Sequence, residues 1–432
     1  MKLISAIRPS IFRRLVLLTA MFVVAGSQVA FAQQFRSRNQ NSRQSTQQSQ
    51  TRKSAPARQK ASAARMQSVS PDLLKIYEQT KSATSEARVS SIVTACRAVV
   101  ASRSRTVIDR DYARSLLAWA LNRRGEMRSD EAAELVGSGD LERADQLDQL
   151  ASEDFRAAID YSPDNWRTRH NYAISLAMKS EYERAIKQLD RSIELNPDYA
   201  NSYFNRGELY FELGQYNDAV ADYDLAIEIT PTDAQYYNSR AHSKFMDERH
   251  SSALEDYRTA AEMDPKSATL LTDYADALQY LGKWKQAAET YRSAVGEDSK
   301  YARAYQNAAW LMATCPEKDV RNPKLAVAAA RKAIELSERE VRTLDTLAAA
   351  MAAAGDQIEA AELQREAVRL SGDPEERVEL DQRLSLYLNG SVYRQPKPLS
   401  GEQDRYESDT NQASGSPIRT ASSDEARARS RQ

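Results

Sequence analysis

The sequence predicts an all-α fold, a solenoid built from antiparallel helix pairs. Three observations predict it. Pro163, Pro197, Pro231 and Pro265 fall 34 residues apart, and Ala185, Ala219, Ala253 and Ala287 recur at the same period. Two further ladders keep that frame: Leu189, Tyr223, Tyr257 and Tyr291, and Ser192, Ala226, Ala260 and Ala294. Lastly, 13 Gly and 13 Pro in 432 residues are few, while Ala, Leu, Glu, Arg and Gln are abundant, which favours helix over strand. A fixed period of this length marks like units that bury their apolar faces against one another.

The frame sets regular units at 166–199, 200–233, 234–267 and 268–301. Each unit is read as a first helix, A, and a second helix, B. Gly207, with Ala173, Ala241 and Ala275 at the same register, marks the close crossing of the two helices. Ala219 has the same duty at the start of helix B, and Tyr223 fills the gap to the next unit. Gly214 supplies the turn between helices. Pro231 fits the first turn of the following helix, where no donor is lost. A unit over 302–340 carries five extra residues, because Ala309 to Ala326 spans 17 positions where Gly207 to Ala219 spans 12. The last unit covers 341–373, with Leu347, Ala348, Gly355, Ala360 and Ala367 in register. Upstream, the unit at 111–165 places Leu117, Ala118 and Gly125 on helix A and Ala151, Phe155, Ala158 and Pro163 on helix B. Aligning Gly125 with Gly214 gives it an acidic insertion of 21 residues (26 from Gly125 to Ala151 against 5 from Gly214 to Ala219) that extends both helices. An atypical helical pair at 71–110 and a helix at 374–392 close the two ends.

These residues resemble the tetratricopeptide-repeat (TPR) family over roughly 111–373. The resemblance implies helix A over about 200–213 and helix B over about 216–229 in the second unit, and a right-handed superhelix whose A helices line a concave groove that holds extended peptides or partner helices. Carried onto this sequence, the groove-facing positions are Arg167, His170, Asn171, Asn205, Glu208, Asn238, His242, Phe245, Asp276, Tyr280, Arg303, Asn307 and Trp310. Asn171, Asn205 and Asn307 share one register, interrupted by Ser239 and Asp273. An amide offers both donor and acceptor, so such a ladder could read a peptide backbone, or it could satisfy groups within the fold. The carboxylate clamp of chaperone-binding members is not matched, since Phe204 and Glu208 stand at two of its positions. Tyr203 and Tyr237, at the family's tryptophan position, are expected in the core, each contributing about 2 kcal/mol on burial.

The ends of the chain read differently. Lys2, Arg8, Arg13 and Arg14 precede an apolar run from Leu15 to Ala25, and Ala30, Phe31 and Ala32 form an A-x-A site. This is the pattern of a secretory signal at 1–32, cleaved after Ala32. Arg13 and Arg14 are a weak match to twin-arginine export. Residues 33–70 are a Gln/Ser-rich tail whose basic side chains include Arg36, Lys53 and Arg65, too poor in apolar groups to fold. Residues 393–432 read the same way. Of 60 basic and 61 acidic residues, twelve basic and no acidic ones lie in 1–70, so a near-neutral total hides a basic start. The chain is therefore expected to be periplasmic or secreted.

No phosphate loop, nucleophile elbow, HExxH or CxxC spacing occurs, so no catalytic, cofactor or metal site is expected. Cys96 and Cys315 read as small buried hydrophobes. The expected function is a non-catalytic protein–protein interaction scaffold of the cell envelope with a protein or peptide partner. The alternative is a tether that docks 33–70 on an anionic surface. Only Phe35 interrupts that tail for base stacking, so nucleic acid is not an expected partner, nor is a small-molecule substrate.

Overall fold

The computed structural model describes residues 68–337 and 339–397, and these contain seventeen helices and no strand. The expected signal peptide and nearly all of the basic tail lie outside the described residues. The chain divides into two compact units after Pro231. The first holds α1 (Pro71–Thr80), α2 (Glu86–Ala101), α3 (Val107–Ser138), α4 (Leu141–Tyr161), α5 (Trp166–Ala177), α6 (Tyr182–Leu195), α7 (Ala200–Glu212) and α8 (Tyr216–Ile229). The second holds α9 (Ala234–Met246), α10 (His250–Met263), α11 (Ala268–Tyr280), α12 (Trp284–Glu297), α13 (Ala302–Thr314), α14 (Pro323–Leu336), α15 (Val341–Ala354), α16 (Gln357–Leu370) and α17 (Pro374–Leu388). Among these described helices none is long and apolar enough to cross a membrane.

Each pair closes because small residues let its helices touch. A Cβ added at Gly207 would lie 2.9 Å from the Tyr223 ring and 3.2 Å from the Ala219 carbonyl oxygen. Ala173, Ala241 and Ala275 are buried at the same register, and so are the helix-B residues Ala185, Ala219, Ala253 and Ala287. Gly125 repeats the arrangement against Phe155, whose ring would lie 2.6 Å from an added Cβ. Phe155 stands four residues after Ala151, as Tyr223 does after Ala219. Gly125 is therefore the counterpart of Gly207 rather than of Gly214. The insertion in this unit is 14 residues, the difference between 26 and 12, and not 21. It is helical and lengthens α3 to 32 residues and α4 to 21.

The turns have the same period as the helices. Ser180, Gly214, Glu248 and Gly282 all have φ between 58° and 72°, at 34-residue intervals. After each of them the next amide reaches back over the turn: Glu181 to Leu176 O, Gln215 to Tyr210 O, Arg249 to Lys244 O and Lys283 to Leu278 O. Glycine reaches this left-handed region without steric cost, whereas Ser180 and Glu248 enter it with a side chain.

The ladder prolines do not open helices. Pro163, Pro197, Pro231 and Pro265 sit in the turn between B and A, and the next helix begins three residues later. Their role is to end helix B. A residue that precedes proline is driven out of the helical region, and Ser162, Asn196, Thr230 and Asp264 have φ of −131° to −147° with ψ of 78° to 83°.

Three further expectations are corrected. Tyr203 and Tyr237 are half-buried rather than core, each under an arginine side chain (Arg206 at 5.8 Å, Arg240 at 5.3 Å). Phe204 and Tyr236 take the buried places beside them. Val69, assigned to the tail, is 7% exposed and packs with Leu73, while the Ser70 amide donates to Asp109 at 2.9 Å. Tyr393, Arg394 and Gln395, assigned to the C-terminal tail, are bonded to the second unit as set out below. Cys96 and Cys315 are both fully buried thiols, and burial pushes Cys96 up to about 11.

Two substitutions test this account. Gly207→Val should lower the stability of the full chain by about 2 kcal/mol through overpacking against Tyr223, read from the urea midpoint of helical circular dichroism. Glu248→Gly should raise it by about 1 kcal/mol, because relief of the left-handed strain exceeds the added chain entropy. No gain at 248 would remove strain from the description of that turn.

Candidate functional site

The thirteen groove positions fall on A helices in both units, and their surroundings differ. In the first unit, α3, α5 and α7 are joined by side-chain amides. The Asn171 amide donates to Asn122 Oδ1 at 3.2 Å and to Glu126 Oε1 at 3.0 Å. The Asn205 amide donates to His170 Nε2 at 2.9 Å, with both side chains buried. Tyr199 stands edge-on to His170 at 5.1 Å and lies tilted against Trp166 at 4.6 Å. Arg167 is exposed, its guanidinium 5.0 Å from the Trp166 ring. Glu208 points into its own helix pair, where it accepts from the Tyr223 hydroxyl at 2.7 Å.

In the second unit a charged network takes over from the amides. Asn238 on α9 donates to Asp273 on α11 at 2.9 Å. Arg303 on α13 donates to Asp273 at 2.7 Å and to Asp276 at 2.5 Å, and Asn307 donates to Asp276 at 2.8 Å. Asp276 also accepts from the Tyr291 hydroxyl at 2.5 Å, the counterpart of the Glu208–Tyr223 bond. Burial pushes the Asp273 carboxyl up, but Arg303, His242 and Asn238 outweigh it and hold the group below its ordinary range. His242 donates from Nδ1 to the Asn238 carbonyl at 2.8 Å and stands edge-on to Tyr257 at 5.2 Å. Phe245 and Tyr280 pack at 4.8 Å, with His250 against both. Trp310 faces Tyr393 at 5.6 Å.

Of the thirteen, therefore, Asn171, Asn205, His170, Asn238, Asp276, Arg303 and Asn307 bridge neighbouring A helices. Glu208 and His242 face inward toward the ladder tyrosines. Phe245, Tyr280 and Trp310 build aromatic clusters, and Arg167 is the exposed member. The face is polar but already bonded within itself, which makes it a rigid surface rather than a row of waiting donors.

A further set was not assigned from sequence. Arg206 donates twice to the buried Asp222, at 2.8 and 2.7 Å, and Arg240 does so to Asp256 at 2.8 and 2.6 Å. Arg124 repeats the pair with Asp154 at 2.8 and 2.6 Å. Burial alone would lower Arg206, but Asp222 and Asp190 overcome it and hold the guanidinium well above its ordinary value. The signal was present in the 34-residue spacing of Arg206 with Arg240 and of Asp222 with Asp256. These arginines shield Tyr203 and Tyr237 and clamp helix A to helix B.

A model described as TPR repeat matches residues 175–214 and 207–247, and a second, described as tetratricopeptide repeat, matches 239–309. Residues 175–309 are tetratricopeptide repeats. No curated protein matches the chain. Among solved structures the chain is similar to yeast Tom70, at 18% identity over 70% of this chain and 59% of that one, with a TM-score of 0.42. The chain thus spans less than two thirds of Tom70. A tetratricopeptide repeat protein from Parabacteroides merdae is 18% identical over 61% of this chain and 99% of its own, with a TM-score of 0.44. YrrB, described as a TPR protein with an unusual peptide-binding site, is 22% identical over 45% and 97% respectively, with a TM-score of 0.37.

Arg206→Ala should cost about 3 kcal/mol, because it leaves Asp222 buried without its partner. The double substitution Arg206→Met with Asp222→Leu should recover most of that loss. Chemical denaturation of the three chains checks both values, and a double variant no more stable than Arg206→Ala contradicts the clamp.

Proposed function

We propose that the chain is a non-catalytic protein–protein interaction scaffold of the cell envelope that holds a peptide or partner protein against its A-helix faces. The observation that carries this reading is the bonding between successive A helices. Asn171, Asn205, Asn238, Arg303 and Asn307 fix helices side by side, so that each unit offers an extended, pre-ordered surface. A surface that need not order itself on contact loses less entropy when a partner docks. Such breadth suits a macromolecule better than a small ligand, which needs a concave pocket. The envelope assignment rests on the signal-like pattern of 1–32.

A photo-crosslinking residue at position 167 on α5 tests the face used. It should capture a defined partner in cells, while the same residue at Lys187, exposed on helix α6, should not. Capture at 187 alone, or only through the basic stretch 36–65, sinks the A-face reading and favours the tether. Protease should reach the chain once the outer membrane is permeabilised but not in intact cells. Protection in both states would contradict the location.

A further inference from the structure

The last described residues do not leave the second unit where α17 ends. Gly390 turns the chain at φ 71°, and the Ser391 amide donates to the Leu386 carbonyl at 2.9 Å. From there the chain, with neither helix nor turn, runs back onto the A helix α13. Val392 and Tyr393 are partly buried against the core of α13–α17. The Tyr393 ring lies 5.6 Å from Trp310, and the Arg383 guanidinium covers both rings at 5.5 and 5.7 Å. Arg394 donates to the Ala313 carbonyl at 2.8 Å. The Gln395 amide donates to the Thr314 carbonyl at 2.9 Å, and its side-chain amide donates to Thr314 Oγ1 at 2.6 Å. Gln279 on α11 donates to Gln395 Oε1 at 3.1 Å. Pro396 and Lys397 are then exposed.

These contacts have the chemistry of peptide recognition. The final carbonyls of α13 have no partner within their helix, and a passing backbone amide and a cation supply one. The aromatic clasp around Tyr393 fixes the register, because the ring lies beside Trp310 with one guanidinium over both. The segment crosses α13 and touches α11, the two helices whose Trp310, Asp276 and Tyr280 were assigned to the groove. It occupies part of that surface.

We infer that Tyr393–Arg394–Gln395 is a resident self-ligand, and that the site between α11, α13 and α17 accepts an extended partner segment bearing an aromatic, an arginine and a primary amide in succession. The inference deepens the reading of the A-helix face as a binding surface. The partner's segment displaces the chain's own, so the apparent affinity of the site is lowered by the fraction of time the self-ligand holds it. The second unit is closed at this point until a competitor arrives, whereas Arg167 of the first unit is exposed among the described residues.

The probe is a fluorescently labelled peptide of residues 391–397, read by anisotropy against the full-length chain. The triple variant Tyr393→Ala, Arg394→Ala, Gln395→Ala should bind it at least ~tenfold tighter than the unaltered chain. Adding Trp310→Ala should abolish that binding. A triple variant with unaltered circular dichroism that binds no tighter overturns the inference. Hydrogen exchange on the unaltered chain gives a reading that does not depend on the variant folding. Excess unlabelled peptide should strip protection from the Gln395 amide, and protection that persists at saturating peptide overturns the inference as well. Crosslinking at position 167 is read independently, so failure of the self-ligand and failure of the A-face reading are distinguishable.

Discussion

The structure depends on how near helix A can come to helix B. At Gly207 the space is set by the Tyr223 ring and the Ala219 carbonyl, and there is no room even for a methyl group without movement. That contact fixes the crossing within a pair. The pair closes over a tyrosine or phenylalanine, fully buried at 155, 223 and 291, whose ring at 155 and 223 lies against the glycine of its own helix A. A Cβ too many at the crossing would be felt in every pair stacked upon it, since interiors packed this densely transmit strain.

Polar groups act on this packing at two depths. Arginine–aspartate clamps at 124/154, 206/222 and 240/256 fasten helix A to helix B across the pair. Amides fasten α3, α5 and α7 to one another in the first unit, and the Arg303 network fastens α9, α11 and α13 in the second. Neither layer adds much stability by itself, since burying charges costs nearly what their attraction returns. What they supply is register, because a buried carboxylate tolerates only the partner that satisfies it. The same bonding explains why the A-helix face is stiff enough to serve as a surface.

Much of this was legible in the sequence, and the reasons differ by residue. Gly207, Ala219 and Tyr223 announce themselves because sterics leave few alternatives at their positions. The turn positions Ser180 and Glu248 do not, since neither residue type advertises a positive φ; only their 34-residue spacing from Gly214 and Gly282 gives them away. The register of Gly125 was misread because nothing in the chain says which helix-A glycine lies over Phe155. The thirteen positions expected in a groove lie on A helices, but spacing along one helix cannot tell whether Asn205 reaches a ligand or His170. That depends on the distance to the next A helix, which is a property of the stack. Tyr393 was unreadable for a related reason, because its partner Trp310 lies 83 positions away and belongs to no repeat ladder.

The proline turns also decide where the chain has been able to grow. The four B-to-A junctions at Pro163, Pro197, Pro231 and Pro265 are pinned at both sides: the pre-proline residue stops helix B, and the next helix starts three residues after the proline. The extra lengths, helical in α3 and α4 and a loop over 315–322 between α13 and α14, both lie at A-to-B junctions instead. Those tips are the natural ports for adding sequence, whether by evolution or by a designer inserting a tag or a reporter domain, and the opposite edge of the stack is the one that must be left alone.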